Sequence, residues 1–473
     1  MIRLLLALSV LAAPLAAQQA PDRSAPPKLP PPAAFTPPQI QKRTLSNGLP
    51  VWIVEQHRVP VAHVTIVVKS GASADPGGKF GLAQFTAEML DEGAGKRGAL
   101  EIADAIDYLG AQLSSASSFD ASYVDLHVPV ARLAEALGVM ADVVRRPTFP
   151  EKELQRVRDE LLTSFVQAED DPATLVSFAF PRLVYGSEHR YGTPALGTAA
   201  AAKSFTVSDL RQFHSRHYVP SNAVAIVAGD VTPSTVVRQL EATFGTWKTA
   251  PPQPVSVGNA AQLRARQVFL VDKPGAAQSQ IEIGWVGVPR STPDYFAIRV
   301  LNTILGGAFT SRLNMNLREQ HGYSYGAGSA FDMRKSAGPF SASAGVQTDK
   351  TAESLQEFFK ELEAIRKPIP PAEVEKAKNY LALQLPAAFE TTSGIAQALS
   401  TLFVHDLPAD YYARFTARVR AVTPADLQRV SERYIQPDKF AVVIVGDRKV
   451  IESKVAALNL GPLKIVPVEE VMR

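Results

Sequence analysis

One stretch of this chain occurs twice. Residues 206–230, TVSDLRQFHSRHYVPSNAVAIVAGD, align without a gap on residues 423–447, TPADLQRVSERYIQPDKFAVVIVGD, with Thr, Asp, Leu, Arg, Pro, Gly and Asp shared at matching places. Each copy reads as a Thr N-cap with an Asp in the first turn, an amphipathic helix, a Pro-containing turn and an apolar strand ending in Gly-Asp. The copies lie 217 residues apart. Solenoid periods are about 20 to 50 residues, so the spacing points instead to a duplicated domain of about 210 residues.

The coarse pattern recurs around the repeat. The first half opens with short strands at Val51–Glu55 and Ala62–Lys69, passes into helices at Gly81–Glu92 and Leu100–Leu109, and continues in an alternating strand at Tyr123–Val130. The second opens at Val268–Asp272 and Gln280–Val288, where Ile281, Ile283 and Trp285 alternate with other residues, followed by a helix at Tyr295–Leu305. Strands interleaved with helices of this length predict an α+β fold of two homologous lobes, each a sheet covered by helices. The expected division is a first lobe over 42–249, a linker over 250–265 and a second lobe over 266–465.

Ahead of the lobes, residues 1–17 combine one positive charge at Arg3, a short apolar run and a small-residue end, the layout of a secretory signal peptide. Residues 18–41 form a Pro-rich tether, with eight prolines between Pro21 and Pro38. The chain has no cysteine, so an exported product is stabilised by core burial and not by disulfides. A periplasmic or secreted protein without a membrane span is expected. The net charge of +3, with no run of Lys or Arg, argues against nucleic acid as a partner.

The segment GLAQFTAEMLDEGAG, Gly81 to Gly95, has the frame of a metal-binding helix. A helix brings positions i, i+3 and i+4 to one face, which lets H-x-x-E-H hold two zinc ligands and a general base together. The three positions here are Gln84, Ala87 and Glu88, and none is histidine. Other readings of the acids are ordinary polar positions on a helix face, or a different metal held by Glu88 and Glu160 with Asp91 or Glu92. His214 and His217, at i and i+3, form a further pair, without a nearby base.

This frame resembles that of the insulinase/pitrilysin family of zinc metallopeptidases, the inverzincins, whose helix reads close to G-L-A-H-F-x-E-H-M-L-x-x-G-T. Gly81, Leu82, Ala83, Phe85, Met89, Leu90 and Gly93 are kept. The resemblance implies a third ligand on a later helix, for which Glu160, 72 residues after Glu88, is the matching carboxylate. Gln84 offers only a neutral amide oxygen and Ala87 nothing, so Glu88 and Glu160 make at most half a zinc site. No metal or other cofactor is expected in this chain.

A second signature of the family, roughly G-G-x-x-S-R-L-x-x-x-L-R-E-x-x-G-L-A-Y, is matched by Gly306, Gly307, Ser311, Arg312, Leu313, Leu317, Arg318, Glu319, Gly322 and Tyr325. The resemblance implies that Arg318 and Tyr325 reach the substrate beside a zinc ion. On their own residue types, Arg318 also reads as a cation near a helix C-terminus paired with Glu319, and Tyr325 as a half-buried strand aromatic, with Tyr323 a nearby competitor.

The resemblance spans about Arg43 to Leu460 and implies a clam-shell arrangement of the two lobes, each a mostly antiparallel sheet. It also implies that such a chain is the zinc-free subunit of a heterodimeric metallopeptidase, degrading or processing unfolded peptides with a zinc-bearing H-x-x-E-H subunit of the same family. A non-enzymatic peptide-binding or assembly scaffold with the same fold is the alternative.

Overall fold

The two copies of the repeated unit occupy equivalent places in two six-stranded sheets. The structure is a computed structural model and describes residues 35–251 and 253–472. The expected signal peptide at 1–17 and most of the expected tether lie outside those residues. In the first copy Thr206 Oγ1 accepts from the Asp209 amide at 3.2 Å, and the Asp209 carboxylate accepts from the Thr206 amide at 2.9 Å. Thr423 and Asp426 repeat the exchange at 3.1 and 3.0 Å. These reciprocal caps start the helices Val207–His217 and Pro424–Tyr434. Each helix buries Leu210 and Phe213, or Leu427 and Val430, and hands over to a strand that is buried throughout.

In chain order the first sheet contains β1 (Gln41–Thr44), β2 (Pro50–Glu55), β3 (Val61–Val68), β4 (Gln112–Ser117), β5 (Ser122–Pro129) and β6 (Ala223–Gly229). The second contains β7 (Gln267–Asp272), β8 (Gln278–Val286), β9 (Ser324–Phe331), β10 (Pro339–Gln347), β11 (Ala441–Gly446) and β12 (Leu463–Val466). Their orders are β1-β2-β6-β3-β5-β4 and β9-β10-β8-β11-β7-β12. Read from β2 and from β7, five strands follow the same path, one parallel pairing and then three antiparallel ones. Only the sixth strand differs. In the first sheet it is the antiparallel β1, and in the second the parallel β12.

The expected α+β fold of two homologous, mostly antiparallel lobes is therefore present, with one feature that the pattern of apolar residues did not convey. The helix Pro172–Tyr185 lies between β5 and β6 of the first lobe in sequence but packs on β8 and β11 of the second sheet. Its counterpart Thr392–Val404 packs on β3 and β6 of the first. A Cβ on Gly284 of β8 would lie 3.0 Å from the Phe180 ring, so the absence of a side chain there admits the incoming helix. Across the other exchange, Trp52 meets Phe403 edge to face at 5.9 Å, and Lys69 pairs with Asp406. Each large apolar side chain on such a face contributes about 2 kcal/mol. That is why β6 and β11 are buried on both sides, with a helix of the other lobe completing the cover.

No helix among the described residues is long and apolar enough to cross a membrane.

Candidate functional site

The helix that carries Gln84, Ala87 and Glu88 is held at its start by packing and by one carboxylate. Asp75 accepts hydrogen bonds from the amides of Gly81 at 2.7 Å and Ala83 at 2.8 Å, and is itself paired with buried Arg190 at 2.9 Å. Gly81 has φ +102°, and a Cβ there would sit 2.4 Å from the Leu196 carbonyl oxygen. Leu82, Ala83, Phe85, Met89 and Leu90 are all buried. The residues kept from the family's frame are thus those that packing demands.

The helix spans Leu82–Glu88 and does not reach Glu92 as the sequence led us to expect. Its apolar spacing continues through Leu90, but the chain turns away so that Gly93–Ala94 can pair with Arg97–Gly98. Gly93 adopts φ +158° against Thr148 and Pro150, a conformation that takes the backbone out of the helix. Asp91 and Glu92 lie beyond the helix for this reason.

Both amide atoms of Gln84, and one carboxylate oxygen each of Glu88 and Glu160, already have a protein partner. Gln84 Nε2 donates to Glu88 Oε1 at 2.8 Å, and Gln84 Oε1 accepts from the Ser117 amide on edge strand β4 at 2.9 Å. Ala87 is 0% exposed and has no donor atom. Burial and the charge of Glu160 raise the Glu88 carboxyl above its ordinary pKa, with the Gln84 bond opposing them. Glu160 is bound by Arg156 at 2.9 Å, and the same guanidinium holds Glu153 at 2.8 Å and Glu92. A guanidinium thus serves the acids of this helix pair. Among the described residues no three His, Cys, Asp or Glu side chains are grouped so as to hold a metal ion. This donor set does not fit zinc, which takes imidazole, thiolate and carboxylate in a tetrahedron.

His214 and His217 face different structural partners. His214 Nε2 meets the Val144 carbonyl at 2.8 Å and its ring stacks on Tyr218, while His217 Nδ1 meets Ser70 Oγ at 3.0 Å. Burial pushes both pKa values down to about 4. They work as core histidines.

In the second lobe Arg318 and Tyr325 come together. Arg318 lies in a wide π-type turn, Met315–Gln320, that continues the short helix Arg312–Asn314. Tyr325 lies on β9 where the register with β10 shifts between Ser324 and Ala327. Such wide turns and bulges re-aim side chains and recur at functional sites. The Arg318 guanidinium carbon sits 5.1 Å from the Tyr325 ring centre and 4.7 Å from that of Phe309, and Arg318 Nε lies 3.3 Å from Glu319. Tyr325 is 86% exposed and Phe309 58%, so Tyr325 is not a half-buried strand aromatic. The competitor Tyr323 stacks on His321 at 5.0 Å.

The outer edge of β9 is closed by its own loop. Asn314 Oδ1 accepts from the Ala327 amide, the Gly306 carbonyl from the Ser329 amide, and Asn302 Nδ2 donates to the Ser329 carbonyl. A Cβ on Gly306 would lie 2.2 Å from the Ser329 nitrogen, so this close approach requires glycine. Beside the loop opens a cavity of about 750 Å³, lined by Arg318, Phe309, Asn314, Gln280, Glu282 and Ser177 among others. Burial pushes the Glu282 carboxyl up to about 7. The site therefore offers two neighbouring donors, a half-buried guanidinium braced by two rings at the wall of a wide cavity with an acid in it, and an exposed phenol beside that guanidinium.

Sequence reasoning missed Phe309, Glu282 and Arg156. Phe309 was legible as an aromatic between the paired glycines and Arg312. Glu282 lies on the opposite face of β8 from Ile281 and Ile283, which reads as solvent until the exchanged helix covers it.

Two family descriptions match the chain, Insulinase (Peptidase family M16) over residues 51–189 and Peptidase M16 inactive domain over residues 204–381. An uncharacterized zinc protease of Streptomyces coelicolor is 26% identical over 419 residues, covering 87% of this chain and 90% of the relative. One from Bacillus subtilis is 26% identical over 360 residues, covering 75% and 85%. The crystal structure of a peptidase M16 inactive domain from Pseudomonas fluorescens superposes with a TM-score of 0.79 at 25% identity, covering 86% of this chain and 98% of that one. A protease from Helicobacter pylori shares the fold, with a TM-score of 0.80 at 22% identity over 86% of this chain and 99% of that one.

Proposed function

Because the chain belongs to the insulinase family, peptidase family M16, we propose that it is the zinc-free subunit of a heterodimeric metallopeptidase that degrades or processes unfolded peptides outside the cytoplasm. The reading rests on one contrast. Gln84, Glu88 and Glu160 are tied to protein groups, while Tyr325 stands exposed and the half-buried Arg318 guanidinium lies over its ring beside an open cavity.

In this reading Arg318 and Tyr325 face the zinc of an H-x-x-E-H subunit of the same family. The guanidinium and the phenol donate hydrogen bonds to the substrate carbonyl and to the oxyanion that develops on it, a contribution of a few kcal/mol per donor, about 3. Phe309 limits the freedom of the guanidinium before substrate arrives. The peptide itself binds in part as an added strand along an exposed sheet edge of the zinc-bearing lobe. The closed edge of β9 supports that division, since its outer amides at Ala327 and Ser329 are already bonded.

The test is to assay the chain alone, a zinc-bearing partner alone, the two together, and the mixture with Arg318→Ala. Activity that needs both chains and falls with Arg318→Ala supports the reading. Full activity of the partner alone sinks it, and peptide affinity without rate enhancement favours the scaffold instead.

A further inference from the structure

We propose that Glu282 selects the substrate: the cavity beside Arg318 takes a lysine or arginine side chain of the bound peptide, with its cationic end on the Glu282 carboxylate. The proposal names the substrate class of the subunit reading and rests on it for the place of the scissile bond, but the contact itself is made within this chain.

Glu282 stands on β8 with Gln280 and Gly284 on the same face. The helix Pro172–Tyr185 closes that face at Gly284, under the Phe180 ring. It leaves the face open at Gln280 and Glu282, which line the cavity together with Ser177 of the helix. Directly across from Glu282 on β10 is exposed Ser343, and across from Ser343 on β9 is Gly328. Gly326 and Gly345 extend this floor of small residues between Glu282 and Arg318. A Cβ on Gly345 would lie 2.9 Å from Gln280 Nε2, so the floor stays low enough there for the Gln280 amide to lie over it. Two strand spacings, about 10 Å, separate β9 from β8. A peptide carbonyl held at Arg318, beside β9, is thus within the span of a long side chain from Glu282.

The charges select a cation. Of the residues lining the cavity, Glu282 is the one acid and Arg318 the one base. Arg318 is engaged on the β9 side, with Glu319 at 3.3 Å and the rings of Phe309 and Tyr325. Glu282 has a hydrogen bond from Ser341 and meets no cation among the described residues. β10 and β11, on either side of β8, carry no charged side chain. The helix Pro172–Tyr185 carries Arg182, which forms no ion pair with Glu282, and Tyr185, whose hydroxyl donates to the Ala337 carbonyl at 3.0 Å. Burial therefore raises the carboxyl to about 7 with no opposite charge to offset it. An ammonium or guanidinium arriving over the floor supplies that charge and holds the carboxyl ionised. An apolar side chain in the same place buries the acid further and supplies nothing.

The experiment measures by calorimetry the binding of N-acetylated, C-amidated peptides to the isolated full chain, in pairs of otherwise neutral sequence that differ only by lysine or norleucine at the centre. At pH 8 the lysine peptide is expected to bind at least about tenfold tighter than its norleucine counterpart. That preference is expected to shrink about tenfold by pH 6, as Glu282 takes up its proton while lysine stays charged. Glu282→Gln is expected to remove the preference. Ser343→Lys, which sets an ammonium directly across the strand pair, is expected to do the same and decides the matter should Glu282→Gln fail to fold. Absence of saturable binding, equal binding of the two peptides at pH 8, a preference that survives either substitution, or n-butylamine binding as tightly as the lysine peptide overturns the proposal. No zinc-bearing partner enters this measurement, so the subunit reading fails separately, when that partner shows full activity alone.

Discussion

The guanidinium carbon of Arg318 lies 5.1 Å from the ring centre of Tyr325, although one residue sits in a wide helical turn and the other in a strand bulge. Two local irregularities thus converge on one pair. In the two-chain peptidase assay, Arg318→Ala is expected to lower kcat/KM by about 100- to 1000-fold. Arg318→Lys is expected to recover little, because an ammonium lacks the planar fork that lies over both rings. Thermal unfolding of the isolated chain should be nearly unchanged by either substitution, which separates a chemical role from a structural one.

Grafting the family's helix chemistry onto this chain is expected to fail in an informative way. Gln84→His, Ala87→Glu and Glu88→His together restore the H-x-x-E-H pattern, but Arg156 still neutralises Glu160. Zinc affinity of the triple variant, followed by competition with a chromogenic chelator, should rise at least about tenfold when Arg156→Gln is added. Equal affinity with and without that fourth change would show that Arg156 does not hold the site shut.

The duplicated caps should be energetically equivalent. Thr206→Ala and Thr423→Ala each remove a reciprocal cap of the same geometry, and each is expected to cost about 1 kcal/mol in urea unfolding. A marked inequality would mean that the two lobes contribute unequally to global unfolding.

Glu282 gives a pH dependence of definite sign. Burial raises its carboxyl in the folded state from 4.5 to about 7, so the folded protein holds this proton more tightly than the unfolded chain does. The carboxyl's contribution to stability is therefore lost as pH rises between those two values. Glu282→Gln, which stays neutral, is expected to be more stable than the natural chain by about 2 kcal/mol at pH 8 and no different near pH 4, as read by denaturant titration.

The exchanged helices make each half dependent on the other. A fragment of residues 42–249 leaves the apolar face of Pro172–Tyr185 without β8 and β11, and one of residues 266–472 leaves Thr392–Val404 without β3 and β6. Each fragment alone should show poorly dispersed, weakly protected amides, and co-expression of the two should recover a folded complex. Independent folding of either fragment would count against the exchange as a major source of stability.

Much of this architecture was readable in the chain. The Thr and Asp of the repeat marked both capped helices, and the alternation of Ile281, Ile283 and Trp285 marked β8, because caps and pleats are set by neighbours a few residues away. What escaped was set by distant groups. Apolar periodicity says that the face of Pro172–Tyr185 is buried, but it is silent on which sheet buries it. The helix after Gly81 ended early because Gly93 meets Thr148 and Pro150, more than fifty residues further on. At the candidate site the residue types of Arg318 and Tyr325 were legible, whereas the turn and bulge that bring them together, and the grip of Arg156 on Glu92 and Glu160, depend on pairings with no local signature.

The crossed helices also govern how such a molecule can breathe. A covalent hinge at residues 250–265 would let two independent halves swing apart, yet here each half reaches over and clasps the other, so parting them means unpacking two hydrophobic faces at once. The pair of sheets therefore behaves as a single stiff jaw. In the proposed two-chain peptidase, a long, floppy guest would enter at the seam between separate polypeptides, where no strand of chain is laced across the gap.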